Sequence, residues 1–317
     1  MTETIPWLEK RLELITVPQG LENTCVEGLD RFKPIGQWAL LKLASLRWLT
    51  TLYVDIIDSE LRKGHIEKMY YVDLFSGSGI NRIAGSSVRC YGSPLIINEL
   101  QRKKNKYFTK MFLNEKNKEK AQALESCLAA NQATECEVTH KDANLRLKEI
   151  ESELHEKSHS LIFVDPYSTA FSWKSMESIL ALNSDIFFLF NTTQMPRAIT
   201  RASNPDGQPM RFFKDFNKVK EVYQDPYKTQ EGTSAIFDEY KQDVLDARGV
   251  ETLMDSIRIN GGGYDMLFVT RFTSGGSPWW RAVTELKNKI ESYDASSVEK
   301  TLRVLLKEQS KLTDFGG

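Results

Sequence analysis

Residues 70–79, Tyr-Tyr-Val-Asp-Leu-Phe-Ser-Gly-Ser-Gly, constrain this chain more than any other stretch. A short apolar run closes on a glycine turn, and a helical pattern follows. Val72, Leu74 and Phe75 read as buried strand residues, with Asp73 among them. Gly77 and Gly79 permit a sharp turn and let a ligand approach the backbone closely. This is how the first strand of a nucleotide-binding α/β domain reads; a bare strand and turn is the plainer alternative. The third glycine of a dinucleotide fingerprint would fall at position 82, which is Arg82, so a nicotinamide-dependent oxidoreductase is a weak reading. An acidic residue ahead of a Gly-x-Gly turn fits an S-adenosylmethionine (SAM) site better.

Composition narrows the class. A chain of 317 residues, 41% apolar and 27% charged, suits one large globular α/β domain with helical additions. No apolar run reaches the roughly 20 residues of a membrane helix. The charged start MTETIPWLEKRLELI lacks the apolar core of a signal peptide, so a cytoplasmic protein is expected. Cys25, Cys90, Cys127 and Cys136 form no C-x-x-C pair, and His65, His140, His155 and His159 show no ligand spacing. Reduced cysteines and no metal site follow. The net charge of −1 advertises no polyanionic partner for the chain as a whole, so any basic surface must be local.

The strand tips carry the chemistry. Residues 107–114 read as a second strand ending at Glu115, where a nucleoside ribose expects a paired acceptor. A helix-start carboxylate explains Glu115 equally simply. Residues 135–144 read as a third strand ending in Asp142, with Asn144 beside it, where an adenine amino group is often met; an N-cap is the alternative. Residues 160–167, SLIFVDPY, read as a buried parallel strand ending in Asp165-Pro166-Tyr167. Enzymes that methylate exocyclic amines place an acidic or amide side chain, proline and an aromatic at this tip. Here one proline is present. Residues 185–193 read as a fifth strand. The alternation implies parallel strands with right-handed crossovers and a ligand crevice at their carboxyl ends.

The remaining segments frame that crevice. Residues 35–58 read as an amphipathic helix after Pro34, with Trp38, Leu41, Trp48 and Leu52 on its core stripe and Lys42 and Arg47 solvated. Residues 80–92 read as a loop, and Ser93-Pro94 as an N-cap and first turn of a helix to about Lys104. Residues 194–250 break the strand–helix rhythm. From Arg197 to Lys220 six Lys/Arg stand against two Asp, with Phe212, Phe213 and Phe216 interleaved. That pattern suits a substrate lid that grips phosphate or stacks a base through Arg197 and Arg201, or else a surface helix with a phenylalanine core stripe. Residues 255–260 and 264–272 flank three glycines as a hairpin. Helices at 279–292 and 297–309 close the chain.

Assembled in order, these segments resemble the three-Cys-motif partner protein (TcmP) family of class I methyltransferases. The matching residues are Trp38 and Lys42, V-D-L-F-S-G-S-G at 72–79, G-S-P at 92–94, Asn114-Glu115, Asp142 and Asn144, F-V-D-P-Y at 163–167, and Arg197. Ser168 stands where the family commonly has glycine, and Ser78 where it commonly has proline. The resemblance implies a Rossmann-like class I methyltransferase fold, a mostly parallel seven-stranded sheet with a terminal antiparallel hairpin. It implies SAM as cofactor and a three-Cys, radical-SAM-like protein as partner.

The expected organisation is an N-terminal helical extension, 1–69, on a methyltransferase-like domain, 70–317, with a helical insertion at 194–250. Asp73, Phe75, Gly77, Gly79, Glu115 and Asp142 are the expected cofactor residues. Asp165, Pro166 and Tyr167 are expected to hold the acceptor, a nucleic-acid amine. The alternative is a non-catalytic subunit of the same fold that docks its partner or nucleic acid.

Overall fold

The computed structural model describes residues 4–17, 32–155, 157–201, 207–224, 232–272, 278–293 and 295–305. Cys25, the lead-in at 18–31, Asp225-Pro226 and the end of the last helix beyond 305 lie outside the described residues. Two helices come first, α1 (Thr4–Glu13) and α2 (Ala39–Arg62). The strand β1 (Lys68–Asp73) leads through β2 (Ile80–Arg82) and β3 (Arg89–Tyr91) to α3 (Ser93–Lys104). Strand and helix then alternate through β4 (Lys110–Asn114), α4 (Lys118–Ala130), β5 (Cys136–Thr139), α5 (Ala143–His155), β6 (Ser158–Val164), α6 (Trp173–Ala181) and β7 (Ser184–Phe190). The insertion holds α7 (Met195–Thr200), α8 (Gln208–Phe212), α9 (Phe216–Gln224) and α10 (Gly232–Arg248). The hairpin β8 (Thr252–Ile259) and β9 (Tyr264–Arg271) and the helices α11 (Pro278–Ile290) and α12 (Ala295–Leu305) complete it.

Seven strands form one sheet in the order β5-β4-β1-β6-β7-β9-β8. Pairing is parallel from β5 through β7. β9 then inserts antiparallel between β7 and β8. A parallel sheet whose last strand slots in reversed beside the fifth is the arrangement of the Rossmann-like class I methyltransferase fold. Successive strand residues alternate between two cores, as the pleat requires. Tyr71, Leu161 and Phe163 pack against α1–α4, α11 and α12, whereas Tyr70, Val72, Ile162 and Val164 pack against α5–α10.

Several sequence expectations change in three dimensions. The segment 80–92 contains the small antiparallel hairpin β2–β3 rather than a plain loop. The N-cap of α3 is Gly92, and the Ser93 hydroxyl donates to Asp73 instead of capping. Arg47 is buried on α2 and donates to Glu99 at 3.1 Å; Lys42 is half-buried and paired with Asp165. Neither is solvated, because α2 lies between the sheet and its neighbouring helices and is enclosed on most sides. Phe212, Phe213 and Phe216 belong to the second core. The Phe212 ring stacks on Tyr240 of α10 with centroids 5.1 Å apart, so these rings hold the insertion to the sheet.

The turn Gly261-Gly262-Gly263 joins the hairpin to the start of α2. A Cβ on Gly261 would lie 2.8 Å from the Trp38 ring, and one on Gly262 would lie 3.1 Å from the Trp38 Cβ. The backbone therefore closes onto Trp38 only because no side chain intervenes. Gly261→Ala is expected to destabilise the fold by roughly 2–3 kcal/mol, combining a positive φ with overpacking. Gly64 shares the positive φ but meets nothing within 4 Å; Gly64→Ala should cost only about 1 kcal/mol. Equal urea midpoints for the two variants would refute the clasp.

Candidate functional site

All parallel strands end on one edge of the sheet, and a cavity of about 530 Å³ opens there. That volume is within the range of small-molecule sites. The lining contains Phe75 and Gly77 from the turn after β1, Glu115 after β4, Asp142 after β5, and Asp165, Pro166 and Tyr167 after β6. Thus seven residues named from the sequence meet at one place.

The turn after β1 is held by the next strand. Gly77 has φ +67 and donates its backbone N–H to Glu115 Oε2 at 3.2 Å. Glu115 Oε1 accepts from the Asn117 amide at 2.8 Å, so the carboxylate spans the tips of two elements. Asn114 fastens the same edge: its amide donates to Leu74 O and Lys141 O, and its oxygen accepts from Thr139 and Lys141. Asp142 accepts from the Asn144 amide at 3.0 Å and pairs with Lys116 at 3.1 Å. Asn144 does not line the cavity. It bonds Ala170 O, the Ser172 amide and the Ser175 hydroxyl, and so pins the loop after β6 to α5.

Asp73 and Gly79 stand behind the lining. Asp73 is fully buried and accepts from Ser93 Oγ at 2.6 Å, the Phe75 amide at 3.1 Å and the Tyr71 hydroxyl at 3.3 Å. Burial raises its pKa from 3.8 to about 7; the bonds from Ser93 and Phe75 act against that rise, and the nearby Asp165 charge adds to it. It is Ser93, on the first turn of α3, that faces the cavity. Gly79 packs on α4, where a Cβ would lie 3.2 Å from the Cys127 Cβ, and its carbonyl accepts the Gly92 amide. Arg197 and Arg201 are exposed on α7 and at its end, outside the lining; Gln194 and Gln208 take that side.

At the opposite wall Lys42 reaches from α2 to the Asp165 carboxylate. Its ammonium also lies 5.9 Å from the centre of the Tyr264 ring. Burial pulls the Lys42 pKa down, but the charge and hydrogen bond of Asp165 outweigh it, and the net displacement is upward. Burial raises the Tyr264 hydroxyl above its ordinary value, against the opposing effect of Lys42. Lys42 and Tyr264 have no strand-tip motif to announce them. The one signal for Lys42 is its place a helical turn after Trp38, on the stripe that faces the protein.

No family model matches the chain, and no curated protein matches it. Among solved structures, it is similar to the O-methyltransferase TomG of Streptomyces achromogenes, involved in tomaymycin synthesis and solved in complex with SAM. The two are 14% identical, with 85% of this chain and 98% of the other covered and a TM-score of 0.40. The SAH-bound Podospora anserina methyltransferase PaMTH1 is 12% identical over 86% of this chain and 97% of its own, with a TM-score of 0.43. Protein LPL1258 of Legionella pneumophila is 11% identical over 78% and 91%, with a TM-score of 0.46. At these levels the fold assignment rests on the strand order of the chain itself. No cluster of three or more potential metal ligands occurs among the described residues, and no described helix is long and apolar enough to cross a membrane.

Asp73 makes stability depend on pH. The folded chain keeps its proton up to about pH 7, whereas the unfolded chain releases it near 3.8. The folded state therefore binds more protons across this window, and stability is full below it and falls as pH rises through 7. The slope approaches about 1.4 kcal/mol per pH unit. Asp73→Asn should remove that slope; parallel denaturation curves for both proteins from pH 4 to 8 would refute it.

Proposed function

We propose that this protein is a SAM-dependent methyltransferase whose acceptor is an amine of a nucleic acid. The observation that carries the reading is the meeting of the Gly77 turn, Glu115, Asp142 and the Asp165-Pro166-Tyr167 tip around one cavity on a class I methyltransferase sheet. The residues fit an adenosyl group bearing a cationic amino acid. Glu115 and Asp142 offer acceptors at neighbouring strand tips for ribose hydroxyls and an adenine amine. Gly77 leaves the backbone bare for the amino-acid end. Asp73 acts through Ser93 there, and a cation beside Ser93 favours its ionised form. When bound, the cofactor supplies a methyl group on a sulfonium.

The acceptor side favours an amine over a hydroxyl. A neutral amine becomes cationic as it takes the methyl group, and a fixed carboxylate stabilises that charge. Asp165 is held for this by Lys42, which keeps Oδ2 and leaves Oδ1 for an N–H donor. A hydroxyl acceptor needs a base that removes its proton, and Lys42, with its raised pKa, holds a proton at neutral pH. Tyr167 is 80% exposed at the mouth, where an aromatic ring offers a stacking face to an unstacked base. The TcmP resemblance, with its three-Cys protein partner, belongs to this same reading.

Calorimetric titration with SAM and transfer of labelled methyl to RNA and DNA test the two halves. Wild type and Asp165→Ala should bind SAM within about threefold of one another, with transfer reduced at least a hundredfold in the variant, on the scale of a lost transition-state contact. Lys42→Met should lower transfer about tenfold, because Asp165 loses its fixed position. No heat with wild type would overturn the cofactor assignment. Heat without transfer to any nucleic acid would favour the docking subunit.

A further inference from the structure

A second groove, of about 690 Å³, runs from the mouth of the cavity along the start of α5 and α6 to α8. Asp142, Ala170 and Gln208 line both, so the two spaces are continuous. The groove carries three cations from three elements: Lys148 of α5, Lys174 of α6 and Arg211 of α8. Lys148 and Lys174 are exposed and take part in no ion pair among the described residues. The charge of the one acid in its lining, Asp142, is countered by Lys116. Beside the cations Leu145 is 58% exposed, an apolar surface at the end nearest the pocket. The wall between them is rigid, because Asn144 ties α5 to the loop after β6 and to α6.

This differs from the basic insertion as read from the sequence. Lys214 pairs with Asp243 at 3.8 Å, and Lys218 pairs with Glu239. Part of that positive charge is spent on α10. The groove's two exposed lysines, Lys148 and Lys174, lie outside that segment, on α5 and α6, and no single stretch of sequence displays the two together.

We propose that this groove holds the phosphates of a single nucleic-acid strand whose adjoining base enters the cavity. Two exposed lysines with no ion pair, in a groove whose one acid is already paired, favour a polyanion, and the exposed apolar Leu145 beside them favours an unpaired strand, whose bases have free faces. The inference rests on the methyltransferase reading of the pocket and adds to it where the substrate lies.

The test is fluorescence anisotropy of a labelled 12-nucleotide single strand, RNA and DNA, from 50 to 200 mM salt. The variant combines Lys148→Glu and Lys174→Glu. Its control reverses three exposed lysines of the opposite layer, Lys10, Lys63 and Lys103. The groove variant should lose affinity about tenfold or more, and its salt slope should fall by about 1.4, as expected for two lost phosphate contacts on a single strand. The control should stay within about threefold, and both should titrate SAM as wild type does, which shows that they are folded. A groove variant that binds like the control overturns the groove, as does equally tight wild-type binding of polyglutamate. Wild type that binds SAM but no strand overturns the nucleic-acid reading and the groove together. Strand binding lost in the groove variant, from a wild type that shows no SAM heat, upholds the groove while overturning the reading of the pocket.

Discussion

Parallel strands can be joined only by crossovers that return over a face of the sheet. Once β5, β4, β1, β6 and β7 run parallel, their carboxyl ends must share one edge. The strand-tip residues of this site are brought together by that constraint. Gly77, Glu115 and Asp165, separated in the chain by 38 and then 50 positions, reach one cavity although none is a neighbour of another. Asn114 then locks the edge, bonding the tips of β1, β4 and the segment after β5 with a single buried amide. A buried amide that satisfies both its oxygen and its nitrogen this way is costly to displace, which keeps three strand tips in fixed relation.

The edge is also where charge is taken out of water. Asp73, Lys42 and Asp165 lie close enough to influence one another electrostatically. Isolated, each would be disfavoured by desolvation. Together they settle differently: Lys42 and Asp165 pair, and Asp73 is left to hydrogen bonds from Ser93, Phe75 and Tyr71. The glycine turn against Trp38 belongs to the same arrangement. Trp38 precedes Lys42 by one helical turn, and Gly263 immediately precedes Tyr264, so clasping one pair of neighbours sets the other beside Asp165. A helix far from the sheet edge in sequence thereby becomes one wall of the site.

The elements that sequence reasoning reached are those with a local signature. Glycine turns, an acidic residue at a strand end, and apolar runs of strand length are properties of a few adjacent residues. They located Phe75, Gly77, Glu115, Asp142 and the Asp165-Pro166-Tyr167 tip. Helical periodicity marks Lys42 and Arg47 as solvated because it reports one apolar stripe, whereas α2 is covered on more than one side. Ser93 read as a cap because its bond to Asp73 spans 20 residues. The cations of 197–220 look alike in the chain; packing pairs Lys214 with Asp243 and Lys218 with Glu239 of α10, whereas Arg211 lines the groove.

By itself, then, the sequence determined the alternation of strands and helices, the turn at 76–79 and the chemical identity of each strand tip, because these depend on near neighbours and on the two periodicities of the backbone. The tertiary structure decided which tips share a cavity with Lys42 and Tyr264, which carboxylate is buried behind Ser93, and that Lys148 and Lys174 line one groove. Those outcomes depend on contacts between residues tens to more than a hundred positions apart, whose formation is set by the packing of whole layers and leaves no mark on either partner's neighbours in the chain.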